Sequence, residues 1–471
     1  MIDSDEDPIV AIATAPGRAG IGVVRVSGTR IGELIVGVLG AVPADRLQPR
    51  QATHGRFLDG HGRVIDDGIV ILYRAPHSYT GQDVLELQGH GGPTVQRMLL
   101  ARCLEAGRSI GARLAAPGEF TRRAFLNDRI DLAQAEAVAD LIDASTEAAA
   151  RSASRSLTGE FSASLTELGG QLTQARALIE ATLDFPEEDL EDLGVRDVRE
   201  RVAGLQRSVD ELMRRARLGA VLRDGLRVAL IGAPNVGKSS LLNALAGQEV
   251  AIVTAHPGTT RDRIERSIDI GGLVLNVIDT AGLRATDDEV ERLGIERTLE
   301  AVSQADIVIE VIDATATAEH DRASAPGPAL GAALAPDWRT RIGSHATILP
   351  VVNKVDLSGD PAGPRDGRLY ASAKTGAGLD ALRAELLRRA GWDRTPSDEG
   401  VYLARARHLD AIARTQGHLH ESATHLRPDT LRPELAAEEL RLAGLALGEI
   451  TGQVSADDIL GEIFSRFCIG K

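Results

Sequence analysis

Cysteine is nearly absent from this sequence, which has only Cys103 and Cys468 among its 471 residues. Two cysteines are too few for a disulfide-stapled scaffold or a cysteine-rich zinc site, and such sparing use is typical of the reducing cytoplasm, where we expect the chain to act. Aromatic residues make up only 3% of the chain. The hydrophobic cores must therefore be built from Leu, Val, Ile and Ala.

Long apolar runs and an excess of positive charge are also missing. No run of about 18 or more apolar residues occurs, so we expect no membrane-spanning helix. The acidic start MIDSDEDPIV is not expected to be a signal peptide. The formal net charge of −15 disfavours a protein that coats nucleic acid by bulk charge. The Arg-rich stretch Met213–Arg223 is either a local contact with nucleic acid or, as an alternative, a solvated helix face.

The pattern of residues changes along the chain and predicts several domains. Short apolar runs such as Val23–Gly28 and Gly68–Pro76 predict the strands of an N-terminal α+β domain. Helical periodicity follows, and it returns near the C-terminus. Between these flanks, apolar runs alternate with helical stretches, which predicts a parallel sheet wrapped by helices. We predict an α+β domain at 1–127, an all-α domain built from two segments, 128–222 and 391–471, and an inserted α/β domain at 223–390.

Local patterns give finer expectations. The acidic run Pro186–Gly194 predicts a loop, and the Ala-, Pro- and Gly-rich stretch Ala314–Pro336 predicts a flexible surface insertion. Helical spacing places one apolar set on a single helix face, and a second set suits an amphipathic helix. These sets are Leu132, Ala135, Val138, Ala139 and Ile142, and Leu435, Leu442, Leu445 and Ile450. The expected strands of the α/β domain are Leu226–Ile231, Leu273–Ile278, Ile307–Ile312 and Thr347–Val352.

The segment GAPNVGKS, Gly232–Ser239, matches the phosphate-binding pattern G-x-x-x-x-G-K-[ST]. It stands between an apolar run and a helical stretch, which is the strand–loop–helix context that the pattern requires. Its glycines let backbone N–H groups turn toward phosphate oxygens, and the helix N-terminus adds its dipole. Lys238 is expected to reach the β- and γ-phosphates, and Ser239 to bind Mg²⁺.

Two motifs further along the chain predict recognition of guanine. NKVD, Asn353–Asp356, ends a predicted strand, and SAK, Ser372–Lys374, completes the base pocket. The carboxylate of Asp356 can accept two parallel bonds from guanine N1–H and the 2-amino group, a donor pair that adenine lacks. Together with the phosphate loop, this ordered set predicts a P-loop GTPase.

The motif DTAG, Asp279–Gly282, ends another predicted strand. Asp279 is placed to hold Mg²⁺, and the N–H of Gly282 to sense the γ-phosphate. The segment GTTRD, Gly258–Asp262, lies between the phosphate loop and DTAG, where a nucleotide-sensing switch loop is expected. Thr260 is our candidate for a Mg²⁺ contact. Alternatively, Thr259 and Thr260 are ordinary loop hydroxyls.

The residue after DTAG is Leu283, which cannot orient the attacking water as a Ras-type glutamine does. Glu291 is the best candidate for that role. Its competitors are Asp287, Asp288 and Glu289, unless all four carboxylates only cap a helix start. No obvious arginine finger is present. The amide of Asn235 is placed either to hold a monovalent cation against the phosphates or only to shape the loop.

Long segments outside these motifs resemble one family, the tRNA uridine-modification GTPases known as MnmE or TrmE. The segments are Ala15–Gly28, Ser78–Pro93, Pro117–Ala144 and the terminal FCIGK, Phe467–Lys471. The resemblance covers nearly the whole chain. It implies a homodimer with a folate-binding-like N-terminal domain, which acts on tRNA with a flavin-dependent MnmG or GidA partner in a heterotetramer or larger complex. Together they would add an aminomethyl or carboxymethylaminomethyl group at carbon 5 of the wobble uridine.

The resemblance also implies roles for individual residues. The folate, 5-formyltetrahydrofolate or a related tetrahydrofolate, would be bound by Arg25, Glu86, Arg129 and Lys471. Potassium would be held by Asn235, Thr254, His256 and Thr259. The Mg²⁺ ligands predicted from the motifs are Ser239, Thr260 and Asp279. The catalytic residues would be Glu291 and Lys238. The predicted GTP-binding residues are Asn235, Gly237, Lys238, Ser239, Ser240, Thr259, Thr260, Asp279, Thr280, Gly282, Asn353, Lys354, Asp356, Ser372, Ala373 and Lys374.

Two questions stay open at this point. A regulatory ribosome- or RNP-assembly switch would share the GTPase motifs, although such proteins usually append an RNA-binding module, for example a KH domain, that is not apparent here. Cys468, close to the C-terminus, is either a nucleophile beside the one-carbon carrier or a small packed residue.

Overall fold

The computed structural model of the chain describes residues 6–41, 44, 46–184, 191–247, 265–278, 302–315, 342–343, 346–392, 401–453, 460–461, 463–464, 467 and 470. It divides into two compact units. The first contains Met1–Ala139, Leu157–Val198 and Glu421–Lys471, and the second contains Asp140–Ser156 and Arg199–His420. Each unit thus combines segments that are distant in sequence. The domain boundaries predicted from composition divide the chain differently, and they stay a prediction.

A six-stranded sheet forms the centre of the first unit. Its strands are β1 (Ile9–Ile12), β2 (Ala19–Gly28), β3 (Thr53–Leu58), β4 (Val64–Tyr73), β5 (Asp83–Gly91) and β6 (Arg113–Leu114), in the order β3-β4-β5-β2-β1-β6. Paired strands are antiparallel except β1 and β6. Val24 and Val26 of β2 are fully buried, as the two-residue period of a half-buried strand requires.

Two helices complete the core of this sheet: α1 (Gly32–Leu39) and α2 (Pro93–Ala106). Leu34 of α1 and Leu99 of α2 join Leu85 and Leu87 of β5 in one hydrophobic cluster. This arrangement confirms the predicted α+β class of the N-terminal part.

The other helices are, in chain order, α3 (Glu119–Leu126), α4 (Leu132–Asp143), α5 (Glu147–Leu157), α6 (Glu160–Asp184), α7 (Glu191–Asp224), α8 (Lys238–Ala246), α9 (Val355–Ser358), α10 (Leu379–Arg389), α11 (Ala406–His425) and α12 (Pro433–Thr451). A 3-10 turn spans Arg108–Ile110. Within the first unit, α6 and α12 pack against each other although they stand on opposite sides of the α/β segment in sequence. The predicted helical segments on both flanks are therefore confirmed.

Each of the two predicted apolar helix faces is only partly buried. Ile142 in α4 is 43% exposed, and Leu435 and Leu445 in α12 are each 39% exposed. The buried residues of α12 include Ala436, Leu440, Ala443, Leu447 and Ile450. These positions follow helical spacing equally well, and their alanines let α6 approach closely. The prediction from hydrophobicity selected the leucines, whereas in the structure the packing against α6 also buries small alanine side chains.

The prediction of a loop over the acidic run Pro186–Gly194 was also partly wrong. Helix α7 begins at Glu191 and includes the last four residues of that run. Acidic residues in the first turn of a helix interact favourably with the helix dipole, so this composition is as suitable for a helix start as for a loop. The preceding residues 186–190 lie outside the described part of the chain.

A seven-stranded sheet forms the centre of the second unit. Its strands are β7 (Leu226–Ile231), β8 (Glu265–Ile270), β9 (Leu273–Ile278), β10 (Ile307–Asp313), β11 (Thr347–Asn353), β12 (Gly363–Arg365) and β13 (Arg368–Tyr370), in the order β12-β13-β11-β10-β7-β9-β8. The five inner strands are parallel, and the edge strands β8 and β12 are antiparallel. All four predicted strands are confirmed, and the fold is the predicted α/β class.

The insertion predicted at Ala314–Pro336 is described only at its start. Ala314 is buried, with 1% of its surface exposed, against Val352 and Tyr370. This residue is therefore part of the core and not of a surface insertion. Residues 316–336 lie outside the described part. Within the described residues, no helix is both long enough and apolar enough to cross a membrane.

Candidate nucleotide-binding site

The phosphate-binding loop connects β7 to α8 at the carboxyl edge of the second sheet. Gly237 stands at the N-terminus of α8 with φ of 95°, and Gly232 has φ of 155°. A Cβ atom at Gly232 would lie 2.5 Å from the carbonyl oxygen of Val311, and one at Gly237 would overlap Nδ2 of Asn353. Only glycine fits these two positions. The loop therefore leads directly into the N-terminus of α8, the end of a helix that favours an anion.

Lys238 crosses the phosphate-binding loop. Its Nζ donates hydrogen bonds to the carbonyl oxygens of Gly232, at 2.9 Å, and Ala233, at 3.1 Å. The ammonium group is therefore held against the phosphate-binding loop, where its predicted role in binding phosphate requires it. Ser239, Ser240 and Asn235 all expose their side chains, and Asn235 has the left-handed φ of 64°, which asparagine tolerates better than most residues.

Asn353 joins all three nucleotide motifs that the structure describes. Its side chain is 2% exposed. Nδ2 donates to the carbonyl oxygen of Val236, in the phosphate loop, at 2.9 Å. Oδ1 accepts from the backbone N–H of Ala373, in SAK, at 3.0 Å. A buried amide that is satisfied on both sides fixes these loops relative to one another.

The predicted guanine-binding carboxylate is oriented by the SAK motif. Oγ of Ser372, a fully buried residue, donates to Oδ1 of Asp356 at 2.6 Å, and accepts the backbone N–H of Thr375 at 3.2 Å. Asp356 itself is exposed, as is Lys374. The carboxylate therefore has a fixed direction and an open side, which are the two properties that recognition of a base edge needs.

Asp313 is a residue of this site that the sequence analysis missed. It ends β10 directly beside Asn353 of β11, and its Oδ2 accepts a hydrogen bond from Nζ of Lys354 at 2.7 Å. Burial acts to raise the pKa of Asp313, but hydrogen bonds from Lys354 and Thr315 outweigh it and hold the pKa below its ordinary value. The position of Asp313 at the end of the run IVIEVID, parallel to the strand that precedes NKVD, was the available signal.

Several predicted site residues lie outside the described part of the chain. These are Thr254, His256, Thr259, Thr260, Asp279, Thr280, Gly282, Glu291, Cys468 and Lys471, together with the competing carboxylates Asp287, Asp288 and Glu289. Their roles stay predictions.

A second polar cluster lies in the first unit, at the predicted folate residues. Arg25 and Glu86 face each other on β2 and β5. Nε and Nη2 of Arg25 donate to Oε1 of Glu86 at 3.0 and 2.8 Å, and Nη1 donates to the carbonyl oxygen of Gly470 at 3.2 Å. The guanidinium carbon lies 5.8 Å from the centre of the Phe120 ring. The pair is 21% and 15% exposed, so it is partly shielded and still accessible.

Arg129, the third predicted folate residue, is not joined to that pair by a hydrogen bond or ion pair among the described residues. Its side chain is exposed, and its backbone N–H donates to the carbonyl oxygen of Ala124. The structure therefore brings together Arg25, Glu86 and the C-terminal tail at Gly470, and leaves Arg129 outside this cluster.

Comparison with known proteins decides the family. A model of the "MnmE helical domain" matches residues 132–468, and a model of the "GTP-binding protein TrmE N-terminus" matches residues 8–129. The chain belongs to the MnmE family of tRNA modification GTPases. As a member of the MnmE family, it is a GTPase, and the loop geometry described above is that of a GTP- and GDP-binding site.

Relatives in the MnmE family match along their full lengths. The tRNA modification GTPase MnmE of Ralstonia nicotianae is 54% identical over 468 residues, covering 98% of this chain and 96% of the relative. That of Burkholderia cenocepacia is 53% identical over 481 residues, covering 100% of both. That of Bordetella avium is 53% identical over 464 residues, covering 98% and 99%. A solved Aquifex aeolicus Era structure shares 24% identity over 41% of this chain with a TM-score of 0.25.

Proposed function

We propose that this chain is the GTP-hydrolysing component of a complex that modifies the wobble uridine of tRNA at carbon 5. The observation that supports the proposal most strongly is the similarity along 98% of the chain to a protein named as a tRNA modification GTPase. In this proposal the chain works as a cytoplasmic homodimer with a flavin-dependent partner. The added aminomethyl or carboxymethylaminomethyl group takes its one-carbon unit from a tetrahydrofolate.

The proposed GTP chemistry uses the chain's own residues as follows. Backbone N–H groups at the start of α8 and Nζ of Lys238 bind and neutralise the phosphates. The Asp356 carboxylate, oriented by Ser372, selects guanine. Glu291 orients the attacking water. Each group stabilises charge or positions a reactant, which is how proteins accelerate phosphoryl transfer.

Two metal ions belong to this proposal. The exposed hydroxyl of Ser239, next to Lys238 in the loop, is an oxygen donor of the kind that Mg²⁺ prefers, and Thr260 and Asp279 would complete its site. The exposed amide of Asn235 offers a carbonyl oxygen suited to K⁺, with Thr254, His256 and Thr259 as further ligands. When bound, the two cations would neutralise phosphate charge, and residues of this chain hold them in place.

Potassium is expected to stimulate GTP hydrolysis by about 10²-fold over sodium at the same ionic strength, the size of effect seen when one preorganised electrostatic group is lost. Replacing Asn235→Gly is expected to remove most of this difference, because glycine keeps the left-handed backbone and deletes the amide. The measurement is phosphate release with K⁺ or Na⁺ as the only monovalent cation. Equal rates in the two salts would contradict the cation mechanism and direct the search to an arginine finger.

Replacing Glu86→Gln is expected to weaken binding of 5-formyltetrahydrofolate by about 10- to 10²-fold, because a charge-assisted hydrogen bond to the pterin ring is lost. Binding is measured by equilibrium dialysis. Transfer of a labelled one-carbon unit to tRNA, with the flavin-dependent partner present, should fall with it, while GTP hydrolysis by the chain alone is unchanged.

The matched control for this experiment is Glu33→Gln, an exposed carboxylate of the same unit that accepts a hydrogen bond from Ser109. It should leave both folate binding and transfer unchanged. A wild-type chain that binds no folate and labels no tRNA, but binds ribosomal subunits in a GTP-dependent way, would overturn the proposal in favour of an assembly switch.

A further inference from the structure

The carboxylate of Asp313 is held on both oxygens. Oδ2 accepts from Nζ of Lys354 at 2.7 Å. Oδ1 accepts from the backbone N–H of Thr315 at 3.0 Å and from its hydroxyl at 2.7 Å. The Asp313 side chain is 17% exposed and that of Lys354 is 29% exposed. An ordinary surface ion pair has two mobile partners and little effect. Here one partner is fixed by two further hydrogen bonds, so it can fix the other.

The pairing of β10 with β11 places Asp313 next to the NKVD motif. β10 and β11 are parallel and in register, with Asp313 opposite Asn353. The carboxyl ends of parallel strands meet at one edge of a sheet, where ligands bind. Asp313 therefore lies beside Asn353, the first residue of NKVD, although the two residues are distant in sequence.

Lys354 has a backbone conformation that lysine does not favour. Its φ is 71°, in the left-handed region, which residues with a Cβ occupy only when their surroundings hold them there. Lys354 is also the N-cap residue of the short helix α9, which contains Asp356 in its first turn. The direction of Asp356 therefore depends on the conformation of Lys354.

We propose that Asp313 is a positioning residue for guanine recognition: it holds Lys354 in the left-handed conformation and so directs the Asp356 carboxylate toward the base. This inference rests on the proposed role of Asp356 in binding guanine. Asp313 acts through Lys354 and not by touching the base. The ligand that it favours is a guanine nucleotide, and the contacts that it strengthens are those of Asp356 to N1–H and the 2-amino group, of which inosine keeps only the first.

The test compares binding of GDP and inosine diphosphate, which lacks the 2-amino group. Asp313→Asn is expected to weaken GDP binding about ten-fold, the size of a coupling between groups in one network, and to weaken inosine diphosphate binding much less. The ratio of the two dissociation constants should therefore fall. An equal loss for both nucleotides, or no loss for either, would overturn the inference, since a general disturbance of the loop does not distinguish the bases.

A double-mutant cycle locates the action at Lys354. If Asp313 acts through Lys354, adding Asp313→Asn to Lys354→Met should change the GDP dissociation constant little further. A full additional loss would overturn the inference. The control is Asp306→Asn, which removes a carboxylate at the other end of the same sheet segment, where it accepts the backbone N–H of Arg227, and should leave the nucleotide ratio unchanged. Thermal melts verify that each variant folds.

Failure of this inference is distinguishable from failure of the proposed function. A wild-type chain that does not prefer GDP over inosine diphosphate would contradict the role of Asp356 itself. A wild-type chain with that preference, retained in full by Asp313→Asn, would contradict only the positioning role.

Discussion

Replacing Asp356→Asn is expected to lower affinity for GTP by about 10²- to 10⁴-fold, because two charge-assisted hydrogen bonds to guanine N1–H and the 2-amino group are lost. The same variant should gain affinity for xanthosine triphosphate, whose 2-oxo group accepts a hydrogen bond from an asparagine amide. Fluorescent nucleotide analogues give both dissociation constants. The result would be a chain with an exchanged base preference and an intact phosphate loop.

The geometry around Asp356 makes this exchange informative. The side chain is exposed and is oriented by Ser372, so asparagine can take the same place without burying an unpaired group. Asp360→Asn, which changes an acidic side chain bonded to Ser358 in the next loop, is the control and should leave both affinities as they are. Loss of both nucleotides in the Asp356 variant would mean that the carboxylate supports the loop and does not read the base.

Replacing Glu119→Gln is expected to destabilise the first unit by about 3–5 kcal/mol, the cost of breaking a buried ion pair on one side only. Glu119 is 3% exposed and Arg123 is 1% exposed. The carboxylate accepts bonds from Arg113, Arg123 and the backbone N–H of Ala116. Without its charge, Arg113 and the buried Arg123 each lose a close carboxylate partner. Hydrogen exchange of amides in α3 and β5 measures the change in opening free energy.

A matched control for Glu119 is available in the same unit. Glu105 pairs with Arg102 at 2.8 Å but is 63% exposed, so Glu105→Gln should cost about 0–1 kcal/mol. A similar loss of protection against hydrogen exchange in both variants would show that burial does not determine how much the Glu119 ion pair stabilises the fold.

The pH dependence of the Glu119 effect has a definite sign. Burial acts to raise the pKa of Glu119, but bonds from Arg113, Ala116 and Arg123 lower it below the ordinary 4.5. A carboxyl group with a lowered pKa in the folded state stabilises the fold above its unfolded pKa and loses that contribution as the pH falls through its folded pKa. The difference between wild type and Glu119→Gln should therefore shrink as the pH falls below 4.5.

The central strands of the second unit and the order of its nucleotide motifs were predictable from sequence. Buried parallel strands are continuous apolar runs, and functional residues follow them at the carboxyl edge. Leu226–Ile231 with its phosphate loop and Thr347–Val352 with NKVD both have this form. Because the physical signal is local in each case, a single sequence is enough to find it.

The features that could not be predicted depend on contacts distant in sequence. The exposure of Leu435 and Leu445 follows from the close approach of α6 to alanines of α12, which hydrophobicity does not encode. The ion pair of Asp313 with Lys354 follows from the register of β10 and β11. Likewise, the contact of Arg25 with the carbonyl of Gly470 joins the two ends of the chain. Periodicity detects elements, whereas these contacts depend on how elements are assembled.

The contact between Gly237 and Asn353 has a consequence for how such a chain can diverge. Any side chain at Gly237 would displace the Asn353 amide, and that amide bonds to Val236, 117 positions away in sequence, and to Ala373. Substitutions in the two motifs therefore cannot accumulate independently, because the effect of one depends on the residue present at the other. A chimera with its crossover between the two motifs would combine a phosphate loop and a base-recognition loop from different parents. Such a chimera is expected to fold the site correctly only if the residues at positions 237 and 353 are still compatible.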